Sequence, residues 1–337
     1  MTGGYLYHDR LARSAAAHEA TVSFLSFPER GWPLSTVWGP RLLRRARSSS
    51  DVVVLDSIAA ALAAPWLRRG GVPPVVAMLH QPPGGIDHRP LRRVIQSRLD
   101  LLAYKRVRGV VVASVPLHED LVRRGCSASD IELVPPGRDV SEVVKAPSTD
   151  LRAGRDAAVL CVGNWVERKG IVDLLEAFAR LPNERATLHL VGDTNPRSPY
   201  GRKVRERVSR SDVAGRVVVH GPLPLDEVAG MYSAADVFAL PSEREPYGTV
   251  FGEALAAGLP VIGVEAGNLP HLITSGREGF IVAKRDVDAL ARALDRLAGD
   301  GSLRAAMSKA AASRAASLPT WEETAAHFFG HLRRYTE

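Results

Sequence analysis

The chain has 337 residues, more than one compact core usually takes, and its content of 45% hydrophobic and 24% charged residues is ordinary for a globular protein. No apolar run approaches the ~20 residues of a membrane span, and the first residues lack the charged start and apolar core of a signal peptide. Cys126 and Cys161 lie far apart in the sequence, so we expect buried thiols in a reducing, cytoplasmic compartment.

Arginine supplies nearly all of the formal net charge of +7. A basic surface suits a nucleic acid, an acidic membrane surface or an anionic small substrate. An arginine-rich genome would produce the same charge with no partner at all. We favour either an anionic small substrate or an arginine-rich genome with no partner implied. We expect no nucleic acid partner, because neither interleaved aromatic residues nor a known reader motif accompanies the arginines.

Short β-branched runs alternate with helical patterns through the first half of the chain. They predict strands at residues 21–27, 52–55, 75–79, 109–113 and 131–134. Pro116 in the first turn and Gly125 after the end frame one intervening helix. A glycine turn at residues 2–5 comes before these strands, and no strand is visible ahead of it. Either the recorded start lies too far downstream, or the first sheet lacks a central strand.

Two dense basic stretches lie in this half, at residues 41–50 and 89–108. The second predicts an amphipathic helix with Leu91, Ile95, Leu99 and Leu102 on one side. We interpret this stripe as core rather than as a membrane anchor. The basic outer face would still suit anionic lipid, which would place the protein peripherally at the inner face of a membrane.

The second half continues the alternation of strands and helices. Its predicted strands are residues 158–163, 187–191, 217–220, 237–240, 261–264 and 279–282. Nearly continuous apolar strands separated by helices indicate parallel sheets covered on both faces. The fold class is therefore α/β, with Rossmann-like domains at 1–144 and 158–317, a turn-rich linker at 145–157 and a closing helix within 318–337. Ligands of such sheets bind beyond the carboxyl ends of the strands, which predicts a site in the cleft between the domains.

Two carboxylates eight residues apart flank a small glycine loop in the second domain. The strand at 237–240 leads through this loop, with Gly248, into a helix predicted at 249–257. The N-terminus of that helix favours an anion, yet Glu245 lies just before it and Glu253 lies one turn inside it. Ionised carboxylates accept hydrogen bonds from hydroxyl groups, so the pair suits a ligand with hydroxyls at both ends of its phosphates. A nucleotide sugar is such a ligand; the alternative is one capping and one solvated glutamate.

Cationic groups follow another strand of the same predicted sheet. The strand at 158–163 leads into a loop with Arg168 and Lys169, and a helix begins at Gly170. Both cations could neutralise a diphosphate, although two solvated loop charges would be equally common. A further strand ends in Gly-Asp at residues 192–193.

Taken in order, these pieces resemble the retaining nucleotide-sugar glycosyltransferases of family 4, which have the two-domain GT-B fold. The matching motifs are Glu-x7-Glu from Glu245 to Glu253, Lys169–Gly170, and the stretches "ADVFALPS", "EALAAGLPVI", "GREGFIV" and "LPTWEE". The resemblance is strong from residue 159 to residue 282 and weaker in the first domain. It implies that the closing helix returns to the first domain.

The resemblance implies roles for residues of the second domain. Glu253 would hold the ribose hydroxyls and Glu245 the hydroxyls of the donor sugar, while Lys169 would pair with the diphosphate and stabilise it as it leaves. The remaining donor-binding candidates are the backbone N–H groups of Tyr247, Gly248 and Thr249, together with Gly163, Asn164, Arg168 and Gly221.

Three residues of the first domain receive implied roles as well. Gly3 and Gly4 would approach the phosphates or the acceptor, and His80 would face the sugar across the cleft. For His80 alone, the plain alternative is a polar group that ends a buried strand. The family usually has arginine where this chain has Asn164, and Arg168 could replace that charge.

The implied activity is transfer of a hexose from a nucleotide-diphosphate sugar to an acceptor hydroxyl with retention of configuration, by an enzyme of class EC 2.4. No cofactor and no metal are expected, because the sequence has no Asp or His set with ligand spacing. The acceptor could be a glycan, a lipid-linked sugar or a small molecule.

One alternative is a degenerate relative that binds nucleotide or a partner without turnover. A glycosidase pair is weaker, since it leaves the lysine and glycine loops unexplained.

Overall fold

Two parallel β-sheets with helices between successive strands form the computed structural model, which describes residues 3–27, 34–138 and 150–336. The chain divides into two units. The first comprises Met1–Gly137 with Pro319–Glu337, and the second comprises Arg138–Leu318.

The strands of the first unit are β1 (Val53–Asp56), β2 (Val75–Leu79), β3 (Gly109–Val112) and β4 (Ile131–Leu133). Its helices are α1 (Gly3–Ser14), α2 (Gly39–Arg47), α3 (Ser57–Ala63), α4 (Pro90–Tyr104), α5 (Val115–Arg123) and, near the end of the chain, α13 (Trp321–Arg333). The strands pair in chain order, β1-β2-β3-β4, and every pair is parallel.

The strands of the second unit are β5 (Ala157–Val162), β6 (Ala186–Val191), β7 (Val217–Gly221), β8 (Val237–Leu240), β9 (Val261–Val264) and β10 (Gly279–Val282). Its helices are α6 (Ile171–Phe178), α7 (Pro199–Val208), α8 (Leu225–Ala234), α9 (Thr249–Ala256), α10 (Leu269–Leu272), α11 (Val287–Gly299) and α12 (Gly301–Ala316).

The sheet of the second unit has a reversal of strand order. Its parallel strands run β10-β9-β8-β5-β6-β7, so the chain moves outward from β5 through β6 to β7 and then returns to β8 on the other side of β5. The loops after β5 and β8 therefore leave the sheet in diverging directions. In open α/β sheets this topological switch point, at the carboxyl ends of the strands, is where ligands bind.

The core of each unit lies on both faces of its sheet. In the first unit, Tyr7 and Leu11 of α1 and Phe328 of α13 cover one face, while α3, α4 and α5 cover the other. In the second unit one continuous core includes Leu174 and Phe178 of α6, together with the strands. The predicted α/β class with parallel sheets is confirmed, because fully apolar strands need cover on both faces.

One predicted strand is wrong. Residues 21–27 adopt irregular structure, and Phe24 is 65% exposed. Strand propensity describes how well a side chain suits a half-buried pleated surface, and this segment has no such surface to join. The other ten predicted strands agree with the structure within a residue at each end.

The glycine turn predicted at residues 2–5 is also wrong in its described part, because Gly3 and Gly4 form the first turn of α1. Gly4 instead permits close packing, since a Cβ atom there would lie 3.4 Å from the ring of His80. The prediction of a missing first strand concerns residues outside the described ranges and stays a prediction.

The apolar stripe of α4 does not face the core as expected. Leu91, Ile95 and Leu102 are 75%, 38% and 36% exposed, and Leu99 is half-buried. The buried side of this helix carries Gln96, Asp100, Ala103 and Tyr104. On this inward side, Asp100 Oδ2 accepts a hydrogen bond, 2.7 Å long, from the backbone N–H of Gly84.

The predicted domain limits stay a prediction, and residues 145–149 of the predicted linker lie outside the described ranges. In the described part of that linker, Leu151 is buried in the core of the second unit. Helix α13 belongs to the first unit, where Trp321 contacts Tyr7 edge to face.

Both cysteines are free and buried. Among the described helices, none is both long enough and apolar enough to cross a bilayer.

Candidate functional site

Lys169 and Glu245 meet at the switch point of the second sheet. Lys169 lies in the loop after β5 and Glu245 in the loop after β8, and Lys169 Nζ is 2.5 Å from Glu245 Oε2. The Ser242 hydroxyl donates to the same oxygen over 3.1 Å, and Arg168 Nη1 lies 3.7 Å from it. Lys169 is buried and Glu245 half-buried. Two cations and a hydroxyl therefore hold one carboxylate between the diverging loops.

Backbone contacts hold these two loops against each other. Gly170 has φ +67°, and a Cβ atom there would collide with the carbonyl of Pro241. The N–H of Glu243 donates to the carbonyl of Arg168 over 2.8 Å, and Ser242 Oγ, whose single hydrogen is shared with Glu245 Oε2, lies 3.2 Å from the same carbonyl. The glycine that follows Lys169 is thus required for the close approach that brings Lys169 to Glu245.

The backbone of Glu245 is fixed from its other side by the loop after β9. The N–H of Asn268 donates to the carbonyl of Glu245 over 3.1 Å. Gly267, with φ +55°, approaches Glu245 so closely that a Cβ atom would collide with the Glu245 carbonyl. The geometry of Glu245 is therefore set by three strand-end loops before any ligand binds.

Helix α9 begins directly after this loop, with Gly248 at its N-cap in the left-handed region at φ +80°. Its first backbone N–H groups have no partners within the helix, so an anion is favoured there. Glu253 lies one turn farther on, half-buried beside the hydroxyl of Tyr232. Burial and the neighbouring Glu253 raise the pKa of Tyr232 well above its ordinary value, so Tyr232 stays a neutral donor.

The ends of β5, β6 and β7 form the adjoining edge. Gly163 and Asn164 follow β5, and the Asn164 Oδ1 accepts the N–H of Asp193 over 3.0 Å. Gly192 donates its N–H to the carbonyl of Gly221 over 2.9 Å. Asn164 thus ties two strand-end loops together through an amide oxygen, which an arginine in its place could not do.

His80 follows β2 in the first unit, where it lies among other titratable and aromatic side chains. Its ring centroid is 5.0 Å from that of Tyr7, and its Nε2 is 3.2 Å from the Nε2 of His8. His8 Nε2 also lies 3.2 Å from Asp56 Oδ2. Burial, followed by the charge of His8, lowers the pKa of His80 to about 4, so its imidazole is neutral at pH 7.

The predicted residues fall in two groups. The structure brings Glu245, Lys169 and Arg168 into contact and places Tyr247, Gly248, Thr249 and Glu253 at the start of α9. Gly163, Asn164 and Gly221 lie at neighbouring strand ends of the same unit, whereas Gly3, Gly4 and His80 belong to the first unit.

Sequence reasoning missed several partners of these residues. Ser242 and Gly267 act on Glu245, and Tyr232 lies beside Glu253. Ser242 could have been noticed, since it lies two residues after the end of the apolar strand β8. Gly267 and Tyr232 carry no such local signal, because their roles depend on which loops and helices become neighbours.

Comparison with known families agrees with this geometry. Residues 148–314 match the family described as glycosyl transferases group 1, and residues 6–142 match the family described as Glycosyltransferase Family 4. The chain is 30% identical over 283 residues to the GDP-mannose-dependent alpha-(1-6)-phosphatidylinositol monomannoside mannosyltransferase of Mycolicibacterium smegmatis, covering 78% of this chain and 70% of that protein. The chain belongs to the group 1 glycosyltransferases.

Other group 1 relatives match a smaller share of their own length. A D-inositol 3-phosphate glycosyltransferase of Xylanimonas cellulosilytica is 33% identical over 221 residues, which is 62% of this chain but only 52% of that relative. The chain thus spans about half the length of this relative. Among solved structures, Anabaena Alr3699/HepE in complex with UDP-glucose superposes with a TM-score of 0.81 at 20% identity, covering 99% of this chain and 96% of that chain. The GT-B fold predicted for this group 1 glycosyltransferase is confirmed.

Proposed function

We propose that this group 1 glycosyltransferase transfers a hexose from a nucleotide-diphosphate sugar to an acceptor hydroxyl and retains the anomeric configuration. The observation that carries the proposal is the contact between Lys169 and Glu245 at the switch point, directly before the N-terminus of α9. It combines a cation, a carboxylate and a helix N-terminus within one short stretch of strand-end loops.

Each of these groups suits a different part of the donor. The N–H groups at the start of α9 and the ammonium of Lys169 would bind the diphosphate, because both offer positive charge to phosphate oxygens. Glu245 and Glu253 would accept hydrogen bonds from hydroxyls of the hexose and of the ribose. Carboxylates would repel the phosphates, so they serve the ends of the donor and not its middle.

The chemical step separates the diphosphate from the anomeric carbon. Negative charge then grows on the phosphate, and Lys169, Arg168 and the dipole of α9 would stabilise that charge without a metal ion. For retention, the acceptor oxygen would attack on the face from which the diphosphate leaves. The departing phosphate would take the acceptor's proton, so the step needs no carboxylate nucleophile.

The names of similar proteins narrow the donor class but do not select one donor. The Anabaena neighbour is complexed with UDP-glucose, and the Mycolicibacterium relative depends on GDP-mannose. Both are nucleotide-diphosphate hexoses with different bases. A donor panel must therefore vary base and sugar independently.

The test is a thermal-shift panel of UDP- and GDP-linked hexoses, followed by assays of donor hydrolysis and transfer with the best binder. Lys169→Ala and Glu245→Ala should abolish turnover. Lys203→Ala is the matched control, because Lys203 is an exposed lysine on α7 of the same unit. Turnover that survives both site substitutions would refute the site, whatever the control does.

A second candidate is a non-catalytic relative that binds a nucleotide or a partner. Asn164, where the family usually has arginine, favours it, since this residue ties loops and contributes no phosphate charge. The same panel separates the two: tight donor binding without hydrolysis or transfer to any acceptor supports the non-catalytic candidate.

We also propose that the first unit rests on an anionic membrane surface through α4. The exposed side of this helix carries Leu91, Val94, Ile95 and Leu102, which are 75%, 50%, 38% and 36% exposed. The exposed Arg98 lies on the same side of the helix, which is also flanked by the basic residues of the 89–108 stretch. An amphipathic helix of this composition would insert its apolar side at the level of the headgroups while its arginines pair with acidic lipids.

Flotation with phosphatidylcholine vesicles, with and without phosphatidylglycerol, tests this contact. Binding should require the anionic lipid, fall with salt, and weaken roughly tenfold or more in Leu91→Ser/Ile95→Ser. Val72→Ser is the control, because Val72 is 87% exposed in the same unit but is not part of α4. Equal flotation of both variants would exclude α4 as the contact.

A further inference from the structure

Three side chains that are distant in sequence converge at the carboxyl edge of the first sheet. Asp56 ends β1, His80 follows β2, and His8 projects from α1. His8 Nε2 lies 3.2 Å from Asp56 Oδ2 and 3.2 Å from His80 Nε2. All three atoms lie within 4.8 Å of one another.

The two separations at His8 Nε2 match those between ligands of a small divalent ion. Zn²⁺ binds imidazole nitrogen and carboxylate oxygen at ~2.0–2.2 Å, so neighbouring ligand atoms of a tetrahedral site lie roughly 3.3 Å apart. The two shorter separations at His8 Nε2 are both 3.2 Å. Two imidazoles and one carboxylate are also a donor set that first-row transition metals bind well.

A hydrogen on His8 Nε2 cannot satisfy this arrangement as well as a metal ion can. If His8 Nε2 carries a hydrogen, that single hydrogen must serve both Asp56 Oδ2 and His80 Nε2. If His8 Nε2 lacks one, its lone pair faces the carboxylate of Asp56 at 3.2 Å. One cation among the three atoms would use a lone pair of each.

The surroundings hold two of the ligands in place. The other carboxylate oxygen of Asp56 accepts the N–H of Ile58 over 2.8 Å and so caps α3. The ring of His80 packs against Tyr7 and lies in van der Waals range of Gly4 on α1. Such supporting contacts orient metal ligands before the ion arrives.

We propose that His8 Nε2, His80 Nε2 and Asp56 Oδ2 form a binding site for a divalent transition metal ion such as Zn²⁺. Three protein ligands leave a coordination position open, as in zinc sites that bind water or a substrate oxygen. The side chains of His8 and Asp56 are 24% and 35% exposed, so a water molecule or an oxyanion can reach that position.

All three residues belong to the first unit, whereas Lys169 and Glu245 belong to the second. His80 is also the residue that the family resemblance assigns to the donor sugar, so the test of this proposal measures metal binding and not transfer. The proposed metal site departs from the sequence-based expectation that no metal is bound, since residues 8, 56 and 80 have no ligand spacing in the chain. A test that measures metal binding alone leaves the transferase proposal untouched.

The test uses the full chain without a histidine tag, stripped with a chelator and titrated with Co²⁺ and then with Zn²⁺. We expect one ion per chain, with the visible absorption of tetrahedral Co²⁺ displaced by Zn²⁺. His8→Gln, Asp56→Asn and His80→Gln should each weaken Zn²⁺ binding by more than about tenfold, because even supporting partners of metal ligands have effects of that size. Zn²⁺ should raise the melting temperature of the parent protein and not of these variants.

His327→Gln is the matched control. His327 Nε2 lies 2.7 Å from Glu132 Oε1 in the same unit, and His331 Nδ1 lies 3.2 Å from Glu132 Oε2; none of these residues is part of the three-residue cluster. This variant should bind Zn²⁺ like the parent. Circular dichroism establishes that each variant is folded. No stoichiometric binding by the parent, or equal binding by all three ligand variants, would overturn the proposal.

Discussion

The carboxyl edges of the two sheets are built from the same α/β architecture but differ in strand order and in chemistry. In the second unit the order reverses between β5 and β8, and the loops there bring Lys169 to Glu245. Among the described strands of the first unit the order does not reverse, and the edge carries His8, Asp56 and His80. One edge carries a charged pair with fixed partners, and the other carries two imidazoles and a carboxylate close together.

This difference shows that strand topology and side-chain chemistry contribute separately to a site. The reversal supplies a crevice because successive helices cross on opposite faces of the sheet. Which ligand suits an edge depends on the few residues that follow each strand. A lysine and a helix N-terminus suit phosphate, whereas imidazole and carboxylate suit a metal ion.

The largest expected effect concerns the charged pair. Lys169→Met should lower kcat roughly 100- to 1,000-fold, the size expected when one group that stabilises transition-state charge is removed. It should also lower the melting temperature, because Glu245 loses the ammonium 2.5 Å away. Steady-state kinetics and thermal unfolding measure the two effects.

A double variant separates folding from catalysis at this edge. Lys169→Met/Glu245→Gln removes both charges, so it should recover the melting temperature lost in the single variant while kcat stays at least as low as in Lys169→Met. Recovery of transfer in the double variant would mean that Lys169 and Glu245 only stabilise the fold and that Lys169 is not a catalytic cation.

The second effect tests whether the glycine loops set the position of Glu245. Gly267→Ala places a methyl group against the Glu245 carbonyl at φ +55° and should destabilise the protein by roughly 2–4 kcal/mol while weakening donor binding. Gly276→Ala is matched, since Gly276 has φ +90° but nothing within 4 Å of its Cβ position. Thermal unfolding and donor titration should separate the two variants. If both variants lose the same stability and the same donor affinity, the strain of a positive φ explains the loss, and the contact between Gly267 and Glu245 does not.

The third effect is a pH dependence confined to the first unit. Burial raises the pKa of Asp100 from 3.8 to about 7; the hydrogen bond from the Gly84 N–H acts in the opposite direction, and the negative charge of Asp56 adds a smaller increase. Because the folded state holds the proton more tightly, this contribution to stability is fully present below about pH 4 and is lost as pH rises through about 7. The parent should lose roughly 3 kcal/mol between pH 5 and pH 8 from this group.

Asp100→Asn should remove that part of the pH dependence, as measured by urea unfolding at several pH values. Asn resembles the protonated acid, so the variant should match the parent best at low pH. The exposed Asp51→Asn serves as control and should follow the parent throughout. A parent whose stability rises between pH 5 and pH 7 relative to Asp100→Asn would contradict the assignment.

The smallest effect concerns Asn164. Asn164→Arg adds a cation beside the strand ends but loses the hydrogen bond to the Asp193 N–H, worth about 1 kcal/mol. We expect affinity for UDP or GDP to rise only about threefold, because the gain and loss partly cancel. Calorimetric titration measures it, with Asn164→Ala reporting the lost hydrogen bond alone.

Most of the strands could be predicted from sequence because their apolar runs are buried on both faces, and the runs at 75–79, 237–240, 261–264 and 279–282 agree with the structure to the residue. The run at 21–27 failed for the opposite reason, since it has strand-forming residues without a surface to pack on. Helix α4 was predicted as a helix but not in its orientation. Periodicity locates an apolar stripe, but it cannot show whether Asp100 or Leu91 will face the sheet.

The sequence by itself determined the parallel α/β class. It also determined the arrangement of two glutamates around a glycine loop at the start of α9, because Glu245, Gly248 and Glu253 lie within nine residues of one another. Only the tertiary structure decided that Lys169 meets Glu245 and that His8, Asp56 and His80 converge. Those contacts depend on which strands become neighbours and on the side from which α1 packs. Such choices are made by burial of whole faces, a property that no short stretch of residues carries.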